Sequence, residues 1–234
     1  MKHHSLSDFR VQHQAALDGL FAQVLGVLSS DGLITLARVM HDGTKVKARA
    51  SGKSFRREAR LREHLERAQE RVRQMGEAPS EEERSAREVK ARERAARERV
   101  ERLEQALAEM QKVPAAEAKS KPRAERRVSE TDPEARFMKQ SDGGYAPSHN
   151  VQLSTDAAHA LIVGVSVIQS ANDEGQLPRA LEEVKRNVGR LPQQVVVDAG
   201  FTTKETILAR TARQVDLIGP TRDRPRLCSR RLRL

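Results

Sequence analysis

The sequence predicts an α/β fold: a sheet of mixed direction with an antiparallel helical hairpin inserted into it. Three observations carry this. First, short runs of apolar and β-branched residues at 33–41, 160–168, 194–197 and 215–219 alternate with helical patterns, the order that builds an α/β sheet. Second, residues 61–110 hold two highly charged stretches whose apolar side chains recur every three or four positions, as in a helical seam. Third, only 37% of the 234 residues are hydrophobic and 3% aromatic, against 32% charged, and the mean hydropathy is −0.68. That is polar for a compact core, so part of the chain must be solvent-bathed helix or linker.

Residues 7–30 read as a helix, with Ser7 or Asp8 as its cap and Phe9, Ala16, Leu17, Leu20, Phe21, Val24 and Leu28 at helical spacing. Gly32 is placed to take the left-handed conformation that ends such a helix. A strand over 33–41 runs into Asp42-Gly43-Thr44, and residues 45–50 alternate as a second strand or a continuation.

The texture changes at Phe55. Leu61, Leu65, Ala68, Val72 and Met75 form one apolar seam, and Val89, Ala96, Val100, Leu103, Leu107 and Met110 form another. Between them lie Gly76, Pro79 and a capping box of Ser80 with Glu83. Two seams on either side of a turn imply the hairpin, read either as a DNA-contacting or dimerising arm or as a self-paired hairpin with solvated faces. An Ala/Lys/Pro/Glu linker follows over 114–127. Beyond it, strands at 150–154 and 160–168 read as a pair joined around Asp156. A helix over 172–188 takes Pro178 in its first turn. The apolar 194–197 reads as a central strand, a helix over 202/203–212 follows, and 215–219 is the last strand.

Composition excludes several classes. The longest apolar run, 160–168, is too short to span a bilayer, and the first ten residues lack the apolar stretch of a secretory signal. The single Cys228 excludes a disulfide framework and a cysteine zinc site, and fits a reducing cytoplasm. The net charge of +10 points to a polyanionic partner. Half of that excess sits in the last 13 residues (six Arg, one Asp), while residues 54–113 hold 16 basic against 14 acidic side chains.

Two carboxylates stand out. Asp42 follows the strand ending in Met40-His41, and Asp198 follows Val195-Val196-Val197. A carboxylate just past a central strand sits at the sheet edge where α/β folds place their sites. Side by side, such strands would bring the two together, and paired carboxylates call for a hard divalent cation such as Mg²⁺. Two such ions suit in-line phosphoryl transfer. The alternative is that both are turn formers.

Asp42 within VMHDGTKVKARAS, the stretch SETDPEARFMKQSDGGYAPSHNVQLSTD, and VVVDAGF resemble the DDE-type transposases of bacterial insertion sequences, and LSDFRVQH at 6–13 resembles the segment before their first catalytic strand. The resemblance covers about residues 5–219, with the motifs in the family's order. It implies a ribonuclease H-like mixed sheet, with Asp42 and Asp198 as the first two catalytic, metal-binding acids and Mg²⁺ or Mn²⁺ as cofactor. The hairpin matches the variable insertion between the first strand and the rest of the core. DNA is the implied substrate, and metal-dependent strand cleavage and transfer the implied activity. Lys45, Lys47 and Arg49 are candidate phosphate contacts on one strand face. Arg136, Lys139 and Asn150 are read as structural or DNA-facing, Asp132 as a turn or helix cap, His149 as a packing residue, and His3 and His4 as disordered.

On this reading the chain divides into 1–52 (N-terminal helix and first catalytic strand), 53–113 (hairpin), 114–128 (linker), 129–219 (rest of the core) and 220–234 (basic irregular tail). The family's third acid, a Glu beyond the last core strand, has no match, and the N-terminal DNA-binding domain is absent. The expectation is therefore a truncated, cytoplasmic fragment with weak or no strand transfer. The alternative is a non-catalytic remnant that binds nucleic acid, a second copy or an intact transposase chain through the hairpin and Arg-rich tail.

Overall fold

The computed structural model describes residues 3–77, 86–113, 126–202 and 214–220. The elements, in chain order, are α1 (His3–Gln12), α2 (Gln14–Ser30), β1 (Arg38–Lys47), a 3₁₀ turn (Gly52–Ser54), β2 (Phe55–Arg56), α3 (Glu58–Glu77), α4 (Ala86–Lys112), β3 (Val128–Ser129), β4 (Arg136–Lys139), β5 (Tyr145–Asp156), β6 (Leu161–Ile168), α5 (Leu177–Val188), β7 (Gln194–Val196) and β8 (Asp216–Ile218). They form two compact units: Met1–Thr44 with Asn150–Leu234, and Lys45–His149. The class is α/β with a mixed sheet, and no described helix is long and apolar enough to cross a membrane.

In the first unit the sheet order is β6-β5-β1-β7-β8. β5 and β6 pair antiparallel, with a register shift at Ser154/Thr155, while β7 runs parallel to both β1 and β8. The core lies between the sheet and the helices α2 and α5. Leu177, Ala180, Leu181 and Val184 recur at helical spacing and bury one stripe of α5. Leu181 joins Val195, Val197, Phe201 and Val215, while Val184 joins Leu25, Ile34, Leu36, Val39 and Val163. Burial of each such side chain contributes about 1.5–3 kcal/mol.

Several expectations are corrected here. The helix expected over 7–30 is two helices broken at His13, so Ser7 and Asp8 lie inside α1 rather than capping it, and His3 is a helical residue. Its inward face also differs: Leu25 is buried, with Phe21 and Leu28 packed beside it, whereas Leu20 and Val24 are exposed. Gly32 does take the left-handed conformation (φ +76°) and donates its N–H to Ser29 O. The strands expected at 33–41 and 45–50 are the single strand β1. Asp42 therefore lies inside that strand, not beyond it, because β5 continues to pair alongside. β5 starts earlier than expected, at Tyr145, and the unexpected β4 pairs antiparallel with its first residues. The helix expected from 172 begins at Leu177, with Pro178 in its first turn and Gly189 (φ +79°) as its left-handed cap. The helix expected over 202/203–212 and the tail with Cys228 lie largely outside the described residues.

In the second unit α3 and α4 pack along the seams read from the sequence, burying Leu61, Ala68, Leu103, Ala106 and Met110 with Val128 of β3. They run antiparallel: Val72 and Met75, late in α3, line the same small cavity as Glu93, Ala96 and Arg97, early in α4. β2 and β3 form a two-stranded antiparallel ribbon at the base of the pair. Phe55 packs against Phe137 of β4 in a tilted arrangement, with ring centroids 4.6 Å apart and planes at 48°. Ser80 and Glu83 of the expected capping box, and residues 114–125 of the linker, lie outside the described residues.

Candidate functional site

Side chains alternate across a strand, so β1 divides into two faces. Val39 and His41 are buried toward α2 and α5, while Arg38, Met40 and Asp42 are exposed on the other face. β7 is in register with it: Arg38↔Gln194, Val39↔Val195, Met40↔Val196. Each pair is separated by 156 residues, and so are Asp42 and Asp198 (198 − 42 = 156). The ladder itself stops at Met40/Val196. Asp198 stands two residues past the end of β7, as expected, and is exposed like Asp42. Asp42 belongs to the face that α2 and α5 leave open, where Met40, Val165 and Val167 are 46%, 40% and 49% exposed, and Asp198 lies beyond β7 where the turn begins.

Each carboxylate is fixed by its own backbone. The N–H of Gly43 donates to Asp42 Oδ1 at 2.7 Å, and that of Gly200 to Asp198 Oδ1 at 2.8 Å. The main-chain oxygen of Asp198 accepts from Phe201 N and Thr202 Oγ1, so the turn after β7 is closed.

Behind Asp42, on the covered face, lies a feature the sequence reading missed. The buried residues of β5 in this unit are Asn150, Gln152, Ser154 and Asp156, all polar. Asp156 accepts from Leu36 N (2.7 Å) and Ala158 N (3.0 Å), tying the entry of β1 to the end of β5. The others join His41 and Asp173. Asp173 Oδ1 accepts from Asn150 Nδ2 (2.7 Å) and Gln152 Nε2 (2.8 Å), and Gln152 Nε2 also donates to Asn150 Oδ1. Gln152 therefore turns its oxygen to His41 Nε2 at 3.0 Å, and Ser154 Oγ lies 2.9 Å from His41 Nδ1. The carboxylate at one end thus sets the tautomer at the other: His41 carries its proton on Nε2 and accepts from Ser154. Burial pushes the His41 pKa below its ordinary value, against the opposing pull of the Gln152 hydrogen bond and the Asp42 and Asp173 charges. The neutral ring packs edge-on against Phe201, centroids 4.9 Å apart. Gly43 fits here because a Cβ would run into Gln152 Nε2 and come within 2.5 Å of Asp173 Oδ1. The available signal was the strict two-residue period of polar residues from Asn150 to Asp156.

Lys45, Lys47 and Arg49 fall in the second unit. Lys45 and Lys47 are on β1, but the strand ends at Lys47, so Arg49 leaves the shared strand face. Arg136 is structural, donating to Glu109 at 2.8 Å and to the carbonyls of Pro133 and Ala135. Lys139 is exposed at the end of β4. The Asp132 carbonyl accepts from Ala135 N in a turn, and its carboxylate meets His149 Nε2 at 3.0 Å, while His149 Nδ1 is buried without a hydrogen-bond partner among the described residues.

Two hard, exposed carboxylate donors fit Mg²⁺ or Mn²⁺ in kind. Their number is short: no group of three or more His, Cys, Asp or Glu side chains placed to hold a metal occurs among the described residues. No family model matches the chain, and no curated protein matches it.

Proposed function

We propose that the chain is the catalytic core of a DDE-type transposase on a ribonuclease H-like sheet, with Asp42 and Asp198 as its paired metal-binding carboxylates. The observation that carries this is their common offset from two parallel, neighbouring strands: Asp42 stands two residues past Met40 and Asp198 two residues past Val196, the last pair of the ladder. It supports one site built from residues 156 apart, as the sequence motifs around both aspartates suggest. When bound, Mg²⁺ or Mn²⁺ would activate water or a DNA 3′-hydroxyl for attack on a phosphodiester and stabilise the leaving oxygen. The chain's own part is placement. The backbone N–H groups of Gly43 and Gly200 orient the two carboxylates. The satisfied network from Ser154 to Asp173 holds β1 against β5 behind Asp42, and such support keeps a site within productive geometry. Lys45 and Lys47, on β1, are the candidate contacts to DNA phosphates.

The test is Mn²⁺ titration calorimetry on the full chain and on Asp42→Asn, Asp198→Asn and the double variant, each with a folded circular dichroism spectrum. A shared site predicts that each single variant loses as much binding as the double. Binding that survives both single substitutions unchanged would overturn the reading.

A further inference from the structure

The sheet of the first unit ends on one side at β6, which pairs with β5 alone and leaves its other edge open. Unpaired N–H and C=O groups template a further strand, so sheet edges are normally blunted by charge, proline, brevity or a covering loop. The opposite edge, β8, is three residues long and carries Asp216. β6 is different: its eight residues, LIVGVSVI, include no charged side chain and no proline. One edge group is satisfied, near the start of the strand. The register shift opposite Ser154/Thr155 falls at Val163, whose carbonyl accepts from Asn187 Nδ2 at 3.1 Å. Past it, residues 164–168 pair regularly with 154–150, and among the described residues no group outside β5 hydrogen-bonds to them. On the face away from α2 and α5, Val165 and Val167 of this stretch are exposed.

We infer that this edge is an interface between two copies of the chain, joined through antiparallel β6 strands into one continuous sheet. A two-fold axis at Ser166 sets Val165 opposite Val167, Gly164 opposite Ile168 and Ser166 opposite itself, so the regular stretch 164–168 meets itself completely. Residues directly opposite share a face. The four valines therefore meet on the open face, where β-branched cross-strand pairs stabilise a sheet, and glycine lies beside isoleucine on the covered one. Charge selects this occupant over the rest of the chain. The longer segments outside the described residues, 78–85, 114–125, 203–213 and 221–234, all carry charged side chains, and all but 203–213 carry proline. Any of these against β6 would bring charge or a missing N–H to an apolar edge, whereas a second β6 brings neither. The interface lies within the first unit and uses neither the hairpin nor the two aspartates, so it does not rest on the proposed metal site.

The experiment is sedimentation equilibrium of the full chain over a range of concentrations, at physiological ionic strength to screen its net charge of +10. Val165→Lys/Val167→Lys is compared with the control Val24→Lys/Val27→Lys on α2, whose valines are also exposed, both checked for a folded circular dichroism spectrum. The parent should follow a monomer–dimer equilibrium. Lysines directly opposite one another across the axis should weaken it at least about tenfold, with the control within about threefold of the parent. A second variant reads the register without adding charge. Opposed Cα atoms in such a pair lie about 4.5–5.5 Å apart, within reach of a disulfide. Mild oxidation should therefore cross-link Ser166→Cys/Cys228→Ser between copies, and leave Val27→Cys/Cys228→Ser uncross-linked. A parent that stays monomeric throughout would overturn the proposal and leave the edge to an extended peptide of another protein. Equal weakening by both lysine variants, or dimers in which Ser166→Cys/Cys228→Ser does not cross-link, would overturn it by placing the contact elsewhere on the chain.

Discussion

Asp42 and Asp198 are separated by the same 156 residues as every Cα pair in the ladder between β1 and β7. Asp42 stands two residues past Met40 and Asp198 two residues past Val196, the last pair of that ladder. Both are exposed, and each spends one carboxylate oxygen on a glycine N–H close behind it. In the proposed shared site, two like charges would gain nothing from each other until a cation joined them.

The first prediction follows from that repulsion. If the proposed shared site brings the two carboxylates within a few ångströms, two exposed charges there repel by about a few tenths of a kcal/mol after solvent screening. In metal-free buffer Asp42→Asn or Asp198→Asn should each raise the melting temperature slightly, and the double variant no more than either single. With Mn²⁺ the order should reverse, since only the parent gains from binding. Scanning calorimetry with and without Mn²⁺ reads both signs. Additive effects of the two substitutions would mean that the carboxylates do not sense each other.

The network behind β1 gives a second. Asp173→Ala removes the acceptor shared by Asn150 Nδ2 and Gln152 Nε2, and stranding buried donors of this kind costs about 1–3 kcal/mol each. Gly43→Ala attacks the same network from the strand, because its Cβ would displace the Gln152 amide. Neither residue is a proposed metal ligand. Both variants should nonetheless weaken Mn²⁺ binding along with the denaturant midpoint, whereas Gly175→Ala, whose Cβ meets nothing, should cost only its positive-φ strain.

His41 makes the network pH-sensitive, with a definite sign. Burial holds its folded pKa below the ordinary value, so the unfolded chain binds the proton more readily. The stability it contributes is complete above the ordinary imidazole value, about 6.5, and is lost as the pH falls from there toward the folded pKa. His41→Gln should be less stable at neutral pH yet show a flatter stability profile over that acid interval, measured by urea unfolding at several pH values. A variant profile parallel to the parent's would remove His41 as the titrating group.

How far the sequence reached depended on which force shaped each element. Periodicity found the α3–α4 seam, where Leu61, Leu103 and Met110 are buried as spaced, and it found β7 and β8, whose apolar runs sit within a parallel sheet. It failed where burial is polar. Hydropathy places Val151 and Leu153 inward, yet Asn150, Gln152, Ser154 and Asp156 are the buried set, because they satisfy one another, His41 and the backbone. Asp42-Gly43-Thr44 has turn composition, but here Gly43 makes room for Gln152 and Asp173 within a continuous strand. The break at His13 carries no glycine or proline to announce it, and β4 is four residues long, too short for a period to show.

The last prediction concerns the base of the hairpin. Glu109 is buried on α4 and bound by Arg136 at 2.8 Å and Lys112 at 2.6 Å. Burial alone would raise its pKa, but the two hydrogen-bonded cations outweigh it and hold the carboxyl below its ordinary value. A depressed carboxyl stabilises the fold above its unfolded pKa, about 4.3, and loses that contribution as the pH falls through the folded value. Lys112 is largely exposed and adds little, whereas Arg136 is mostly covered and is the partner that matters. Glu109→Gln leaves Arg136 its bonds to the Pro133 and Ala135 carbonyls but no counter-charge. The expected loss is about 1–3 kcal/mol at neutral pH, narrowing as acid removes the same charge from the parent. Thermal melts followed by circular dichroism from neutral to acid pH measure both, and a gap that stays constant down to the acid limit would show that the Glu109 charge does not hold the base together.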